Sequence, residues 1–410
     1  LQHLKVTTSM ATQPLTILIG ADTYPPDVNG AAQFSHRLAR AMKDRGHTVH
    51  VMASRQEAGT TTSFDVDGLT EHRVRSHKVV THSYMRLSFP WEIYKDAERI
   101  VQRIKPDVIH VQCHYIIGRV LARIGKKYGI RVIATNHVMP ANINPFLPFP
   151  QWGKNLVEKA SWSDMRRVLS QAAVVTNPTQ IGADAMRASG KFKLLVMPVS
   201  NGIQSENYEL APGETVEKDP RELLIFFAGR LAVEKNVDVL IEALALLPES
   251  LNHTVLEVAG SGEILESLQV KAHEYGVEHR VRFLGYVTDE QLRDGYLRAD
   301  VFCQPGTAEL QSLVTLEAMS ASKPVVLANA LALPHLVEQG QNGYLFEPGN
   351  PQDLAEKLAA VLLLSEENRT IMGQHSHRMI EKHAAEKTWQ TFESLYVSNQ
   401  AYHDFVAGRR

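Results

Sequence analysis

Short unbroken apolar runs recur along the chain. Most are followed by a polar or glycine-bearing turn and then by a segment whose apolar residues keep helical spacing. In the first half the runs lie at 15–20, 47–53, 107–113, 131–135, 172–178 and 193–198. In the second half they lie at 223–228, 256–262, 281–287, 300–306, 324–328 and 340–346. A continuous run, rather than an alternating one, is what a strand buried on both faces requires, and it marks parallel sheets flanked by helices. Segments 31–45, 92–104, 115–128, 237–246, 313–320, 352–364 and 367–383 read as helices, and Gly46, Lys105-Pro106 and Gly129 supply stop signals for the first three. A final helix is expected over 389–405, aromatic on one face. Residues 204–220 are polar, acidic and unpatterned, and the strand–helix alternation restarts after them. The chain therefore predicts two doubly wound α/β units, in which ligands bind beyond the carboxyl ends of the strands.

Several of those strand ends carry candidate chemistry. After the run at 300–306, Glu309 and Glu317 stand eight residues apart, one just before the helix at 313–320 and the other about two turns on. The helix start offers main-chain N–H groups around Gln311, Ser312, Leu313 and Val314 and a positive dipole end, which suits a diphosphate. Spacing alone leaves two readings open: carboxylates that reach one ligand, or ordinary complements to the dipole. After the run at 223–228, Gly229-Arg230 and Lys235 place two cations five residues apart on a turn. They are either a diphosphate clamp or a solvated pair. Gly260 opens a glycine turn after 256–259, and Gly285-Tyr286 lies in the run at 281–287. In the first half, the loop after the first strand ends at Gly30. It is not G-x-G-x-x-G, so a dinucleotide site of that type is not expected. His137 follows the strand at 131–135, where a lone histidine is structural or a ligand contact. His114 directly follows another strand and is expected to line a cleft there, with His110 a weaker candidate.

Together these motifs resemble the retaining family 4 glycosyltransferases of the GT-B fold. Glu309 to Glu317 matches their E-x7-E pair. Gly229-Arg230-Leu231 with Lys235-Asn236 matches Gly-Arg-Leu-x-x-x-Lys-Gly, with Asn236 in place of glycine. Asn201-Gly202-Ile203 matches the signature that closes the first domain. The family carries Glu-Gly-Phe-Gly at the first acid, whereas this chain has Glu309-Leu310-Gln311-Ser312, so both motif glycines are replaced. The likeness covers nearly the whole chain and is densest over 223–347.

It implies two Rossmann-like domains facing across a cleft: an acceptor-side domain over 1–205, a donor domain over 206–388, and a terminal helix, 389–410, packing back onto the first. The reaction implied is transfer of a hexose from a UDP- or GDP-sugar with retention, by front-face attack in which the leaving phosphate takes the acceptor proton. Arg230 and Lys235 hold the diphosphate, Glu309 the sugar and Glu317 the ribose. Gly30, Gly260 and the main chain at 311–314 line the donor site. The main chain at Gly285-Tyr286 reads the base, with Tyr286 placed to stack on it. His137 lies beside the transferred sugar and completes the catalytic set of His137, Arg230, Lys235 and Glu309. The fold seldom requires a metal, so no metal and no resident cofactor are expected. A glycosidase reading of the two acids gives a diphosphate clamp nothing to do. A nucleotide-sugar epimerase or a non-catalytic nucleotide-binding protein of the same fold are the other readings.

Composition adds the acceptor question. The chain has 410 residues, 44% apolar and 21% charged, enough for two domains. No apolar run reaches the roughly 18 residues of a membrane span. Residues 1–13 read as irregular, without a signal peptide and with Met10 a candidate start. Cys113 and Cys303 read as buried free thiols of a reducing cytosol. The net charge of −2 hides an asymmetry: residues 1–205 hold 26 basic against 14 acidic residues (+12), and 206–410 hold 17 against 31 (−14). A basic half faces an anionic partner or is simply solvated. Nucleic acid is not expected, since no aromatic–basic motif or zinc spacing accompanies it. An anionic membrane is. Phe146, Phe149 and Trp152 lie in a proline-rich stretch followed by Lys154, Lys159, Arg166 and Arg167. That combination suits a membrane interface or a lid packed in the interdomain cleft. The expectation is a cytoplasmic enzyme, peripheral on the inner face of the membrane, with a diacylglycerol-type lipid acceptor; a soluble sugar or polyol is the alternative.

Overall fold

The computed structural model describes residues 13–27, 29–79, 82–140, 149–192, 195–211 and 213–408. The first sheet contains β1 (Thr16–Ala21), β2 (Thr48–Ser54), β3 (Thr62–Val66) and β4 (Leu69–Val74). After a separate ribbon of β5 (His77–Val79) and β6 (His82–Leu87), it continues with β7 (Val108–Val111), β8 (Arg131–Thr135), β9 (Val174–Asn177) and β10 (Val196–Pro198). The order is β10-β9-β8-β7-β1-β2-β4-β3, parallel except where β3 pairs with β4. The second sheet contains β11 (Leu223–Ala228), β12 (Thr254–Ala259), β13 (Val281–Gly285), β14 (Val301–Gln304), β15 (Val325–Ala328) and β16 (Gly343–Phe346), in the parallel order β13-β12-β11-β14-β15-β16. In each sheet the chain builds outward from one central strand and then returns to build the other way. The reversals fall between β1 and β7 and between β11 and β14, which are the crevices where such sheets bind ligands.

Helices cover both faces. They are α1 (Gly30–Asp44), α2 (Pro90–Ile104), α3 (Ile116–Tyr128), α4 (Gln151–Leu169), α5 (Gln180–Gly190), α6 (Val237–Ala245), α7 (Leu265–Glu274), α8 (Asp289–Arg298), α9 (Leu313–Ser320), α10 (Pro351–Leu362), α11 (Glu366–Ile380), α12 (Ala385–Val397) and α13 (Gln400–Ala407). The unbroken apolar strands serve two cores at once. Ile17 and Ile19 of β1 pack with Phe34 and Leu38 of α1 and Trp389, Phe392 and Tyr396 of α12. Leu18, Ile109 and Val111 face the opposite way, toward α2, α3 and α4. A separate core surrounds the second sheet. Both cysteines are buried and free.

Two expectations of the sequence are corrected. The terminal helix is not one piece. Ser398 is extended, and Arg131 donates to the Ser398 carbonyl at 2.8 Å and to Asn399 Oδ1 at 2.5 Å, which takes up the groups a continuous helix would use. The region between β2 and α2, which carries no unbroken apolar run, forms β3 to β6, and β3 is exposed along its whole length.

The two crossings between the sheets run side by side. The Ile203 N–H donates to the His383 carbonyl at 2.8 Å, and the Ala385 N–H donates to the Ile203 carbonyl at 2.9 Å.

Candidate active site at the two switch points

Three glycine-bearing turns at the ends of β11, β12 and β13 are laced together. The Gly229 N–H donates to Ala259, the Leu231 N–H to Ser261, and the Gly260 N–H to Gly285. Gly260 has φ +144°, and a Cβ there would lie 1.9 Å from the Gly229 carbonyl oxygen, so no other residue fits. This frame holds Arg230 and Lys235. Arg230 donates to Glu234 at 2.6 Å, with Glu263 at 3.8 Å, and stays half exposed. A 3₁₀ turn, Val233–Lys235, leads to Asn236 at φ +50°. Asparagine tolerates that left-handed conformation, which explains why it can stand where the family motif has glycine. Asn236 also donates to the Pro305 carbonyl at 3.2 Å, and the Thr307 N–H donates to the Glu234 carbonyl at 3.2 Å. The loops after β11 and β14 are thereby joined, and the Lys235 ammonium reaches Glu309 Oε1 at 2.5 Å.

Helix α9 starts four residues beyond Glu309 without a side-chain cap, because the Ser312 hydroxyl bonds Thr315 Oγ1 at 2.8 Å instead. Its first-turn N–H groups, at Leu313 and Val314, are left for another acceptor. Gly30, at the start of α1, faces the same point: a Cβ there would lie 3.9 Å from Leu313 Cδ1. Two helix N-termini and two cations thus converge across the gap between the sheets, an arrangement that favours an anion. Gln311 is turned elsewhere. Its Oε1 accepts from the Asn201 N–H at 2.8 Å and its Nε2 donates to Ser200 Oγ at 2.8 Å, so only its main chain is left for a donor. Tyr286 is 75% exposed at the end of β13.

Glu317 lies inside α9 and accepts from the Tyr296 hydroxyl at 2.8 Å. Burial pushes its carboxyl pKa up, while hydrogen bonds from Tyr296 and Tyr208 and the charge of Arg37 act against that. Arg37, on α1, has its Nε and Nη2 buried without a hydrogen-bond partner among the described residues.

On the first sheet, His137 Nε2 bonds Gln112 Oε1 at 3.0 Å, and its ring leans on Phe34 at 5.1 Å. A carbonyl oxygen only accepts, so Nε2 carries the proton and Nδ1 is an acceptor. Burial lowers the His137 pKa to about 3, which keeps the ring neutral. His110 is fully buried between the Tyr396 hydroxyl and Thr135 Oγ1, both at 2.7 Å, and is a core residue. His114 does not line a cleft as its strand-end position predicts. It is buried against Tyr115 and Cys113, and burial holds its pKa at about 4. Asp22, at the end of β1, caps α3 by accepting from the Ile117 N–H at 2.9 Å. Burial pushes its pKa up to about 6, and its second oxygen is buried without a hydrogen-bond partner among the described residues.

Phe146 lies outside the described residues. Phe149 and Trp152 are exposed, Trp152 at 73%, so these two side chains are not packed as a lid. The buried residues of α4 are Trp162, Met165, Val168 and Leu169, which leaves its N-terminal half standing clear of the core. Among the described residues no group of three or more His, Cys, Asp or Glu is arranged to hold a metal ion. Among them, too, no helix is long and apolar enough to cross a membrane.

Family models described as Glycosyltransferase Family 4 and Glycosyl transferases group 1 match residues 28–206 and 214–381. The chain belongs to the family 4 glycosyltransferases of the GT-B fold. The sulfoquinovosyl transferase of Arabidopsis thaliana is 27% identical over 69% of this chain and 55% of its own length. The alpha-monoglucosyldiacylglycerol synthase of Streptococcus pneumoniae is 22% identical over 94% of this chain and 87% of that one. The chain thus spans about half of the first relative and most of the second. Among solved structures, Anabaena HepE in complex with UDP and glucose superposes with a TM-score of 0.71, at 19% identity, over 92% of this chain and 98% of that one.

In this family member, Gly30, Arg230, Lys235, Glu309, the start of α9 and Glu317 gather at the two switch points, with His137 on the first sheet's side. Arg37, Gln112, Tyr208 and Tyr296 were not legible in the sequence. Tyr208 sits in the unpatterned linker, Tyr296 in a stretch between the runs at 281–287 and 300–306 that reads as no element, and Arg37 and Gln112 in segments that read only as helix and strand. The one available signal was a polar side chain at a strand end, for Gln112.

Proposed function

We propose that this glycosyltransferase moves a hexose, with retention, from a nucleotide diphosphate sugar to a hydroxyl of a membrane lipid of diacylglycerol type. The observation that carries the donor half is Lys235 bonded to Glu309 beside the uncapped start of α9, with Arg230 on the same loop. As the glycosidic bond breaks, its electron pair passes to the β-phosphate oxygen. Arg230, Lys235 and the first-turn N–H groups of α9 stabilise the charge that grows there. The acceptor oxygen bonds to the anomeric carbon from the same face, and its proton goes to the departing phosphate oxygen. No enzymic nucleophile is needed. Glu309 holds the sugar hydroxyls, Glu317 the ribose, and the neutral His137 accepts from a sugar hydroxyl through Nδ1.

Support for a lipid acceptor comes from the surface. Trp152 and Leu156 are exposed on the projecting half of α4, alongside Lys159. A second aromatic pair, Phe89 and Trp91, stacks at 4.9 Å at the start of α2, with Trp91 74% exposed. It borders a cavity of about 270 Å³ lined by Pro90, Trp91, Tyr94, Arg119, Val120 and Arg123. Helices α3 and α4 begin at the carboxyl edge of the first sheet. Helix α2 leads into β7, so it too begins at that edge. Aromatic residues and arginines on the rim of the acceptor side of the cleft suit an anionic lipid interface, and the charge of the first half has the matching sign. One relative is itself a diacylglycerol glycolipid synthase.

The test is thermal stabilisation by UDP, GDP and ADP, with and without their sugars, followed by nucleotide release in the presence of diacylglycerol, glycerol or inositol. A ligand at 100-fold its Kd adds about 2.7 kcal/mol. Stabilisation by one nucleotide and release that depends on diacylglycerol is the expected result. Release with a soluble polyol alone would move the acceptor to that class. An isomerised donor without any acceptor would point to an epimerase, and binding without turnover to a binding protein.

A further inference from the structure

We infer that Gln311 is a positioning residue that latches the donor loop to both interdomain crossings, so that donor binding and domain closure are coupled. This rests on the donor reading above for the ligand, and on geometry for the latch. Between the second sheet and the first the chain crosses twice, through Ser200–Ile203 and through His383–Ala385. Those crossings are already tied to each other by the Ile203 N–H to the His383 carbonyl, the Ala385 N–H to the Ile203 carbonyl, and Thr388 Oγ1 to the Ser200 carbonyl at 2.9 Å. Gln311 adds a third strand to this knot from the donor loop. Its amide clasps the Asn201 N–H and Ser200 Oγ, 110 and 111 positions earlier in the chain.

The bonds have one sense. Ser200 Oγ accepts from Gln311 Nε2 and from the Gly202 N–H, so its own proton points to His383 Nδ1 at 3.0 Å. Burial lowers the His383 pKa to about 4 and keeps it a neutral acceptor. The chain Gln311 to Ser200 to His383 therefore links the donor loop, the outgoing crossing and the returning crossing. Leu310, next to Gln311, packs against the core of the first domain on the α2–α4 side. Glycine and phenylalanine, which the family motif carries at 310 and 311, offer no hydrogen-bonding side chain for such a clasp. On one side of Gln311, two residues away, stands Glu309, bonded to Lys235. On the other, the uncapped start of α9 follows directly. A rotation at the hinge pulls on both. The knot is also incompletely satisfied, since Asn201 Oδ1 and His383 Nε2 are buried without partners among the described residues.

The test compares the full chain with its Gln311→Ala and Ser200→Ala variants by small-angle X-ray scattering and by titration with UDP, with GDP and ADP run in parallel. The parent is expected to show nearly the same radius of gyration with and without nucleotide. Gln311→Ala is expected to be more extended when free, to return to the parent value at saturating nucleotide, and to bind it about tenfold more weakly. Ser200→Ala removes the bond to Gln311 Nε2 from the other side, and the double variant is expected to lose less than the sum of the two single ones. A Gln311→Ala protein with the parent's radius and affinity, or single effects that simply add, overturns the latch. If the parent binds none of the three nucleotides, the donor reading fails by itself. The latch is then judged on the free radius alone: expansion in the variants upholds it and an unchanged radius overturns it.

Discussion

Lys235 donates to Glu309 at 2.5 Å across 74 positions of sequence, from the loop after β11 to the loop after β14. Those strands flank the reversal of the second sheet. The pair therefore spans the crevice the topology creates, and each partner holds the other where a donor diphosphate and its sugar would meet. Removing Lys235 withdraws a cation from the leaving group and leaves the Glu309 carboxylate, only 12% exposed, without its counter-charge. Lys235→Ala is expected to lower kcat at least tenfold, about 1.4 kcal/mol, with Glu309→Gln also impaired. Near-parent turnover of Lys235→Ala in a nucleotide-release assay would remove it from the mechanism.

Glu317 is expected to act on the ribose alone. The Tyr296 hydroxyl fixes the orientation of its carboxyl, and Tyr208 gives a second hydrogen bond. Hydrogen bonds to a charged group are worth about 1.5–3 kcal/mol, so Glu317→Gln should bind the nucleoside diphosphate roughly tenfold more weakly. The parent should prefer the ribonucleotide to its 2′-deoxy analogue and the variant should not. Calorimetric titration with both nucleotides reads this directly. A preference that survives the substitution would place the ribose elsewhere.

What could be read in advance follows from where each interaction lives. Arg230, Lys235, Glu309 and Glu317 lie on two short local motifs, and a turn or a helix start is set by neighbours within a few residues. Most strands of the two sheets were legible because a strand covered on both faces is mostly apolar, whereas β4 was not, because its buried positions carry Glu71, His72 and Arg73. β3 was not, because an exposed strand leaves no apolar signature. The break between α12 and α13 depends on Arg131, more than 260 positions away. Tyr208 becomes a partner of Glu317 only after the linker folds over α8 and α9, and Gln112 meets His137 only because β7 and β8 are neighbours. The fold was local information repeated, whereas the second layer of the site is tertiary.

The projecting half of α4 is expected to carry membrane binding separately from donor binding. Phe149, Trp152 and Leu156 are all exposed, and no residue of the helix before Trp162 is fully buried. Replacing these three with serine should reduce partition onto vesicles of about one-third anionic lipid at least tenfold, since interfacial affinity scales with buried apolar area. Thermal stabilisation by the nucleotide should be unchanged. Vesicle partition equal to the parent's would sink the role of this segment, and lost nucleotide stabilisation would mean that it belongs to the donor site instead.

Five histidines, four of them buried and His137 partly buried, set the response to acid. Burial lowers the pKa of His72, His114 and His383 to about 4 and that of His110 and His137 to about 3. In the unfolded chain each takes a proton near its ordinary value of about 6.5. Between those values the unfolded state holds more protons than the folded one, so stability falls as the pH drops below about 6.5. For His110 alone, about 1.5 pH units of that window correspond to about 2 kcal/mol lost by pH 5. Asp22 works in the opposite sense: its carboxyl is pushed up to about 6 from 3.8, so the folded state takes the proton first and is stabilised as the pH falls through that range. Glu317 is pushed the same way as Asp22, but His36, His50 and His335 are lowered like the five imidazoles, so the balance is a net loss. Denaturant midpoints are expected to decline from pH 7 to pH 5, and His110→Gln, though less stable at neutral pH because it loses its bonds to Tyr396 and Thr135, should decline less steeply. A flat profile in the parent would mean that these rings are charged in the folded protein, and His137 would then lose the neutral Nδ1 acceptor assigned to it.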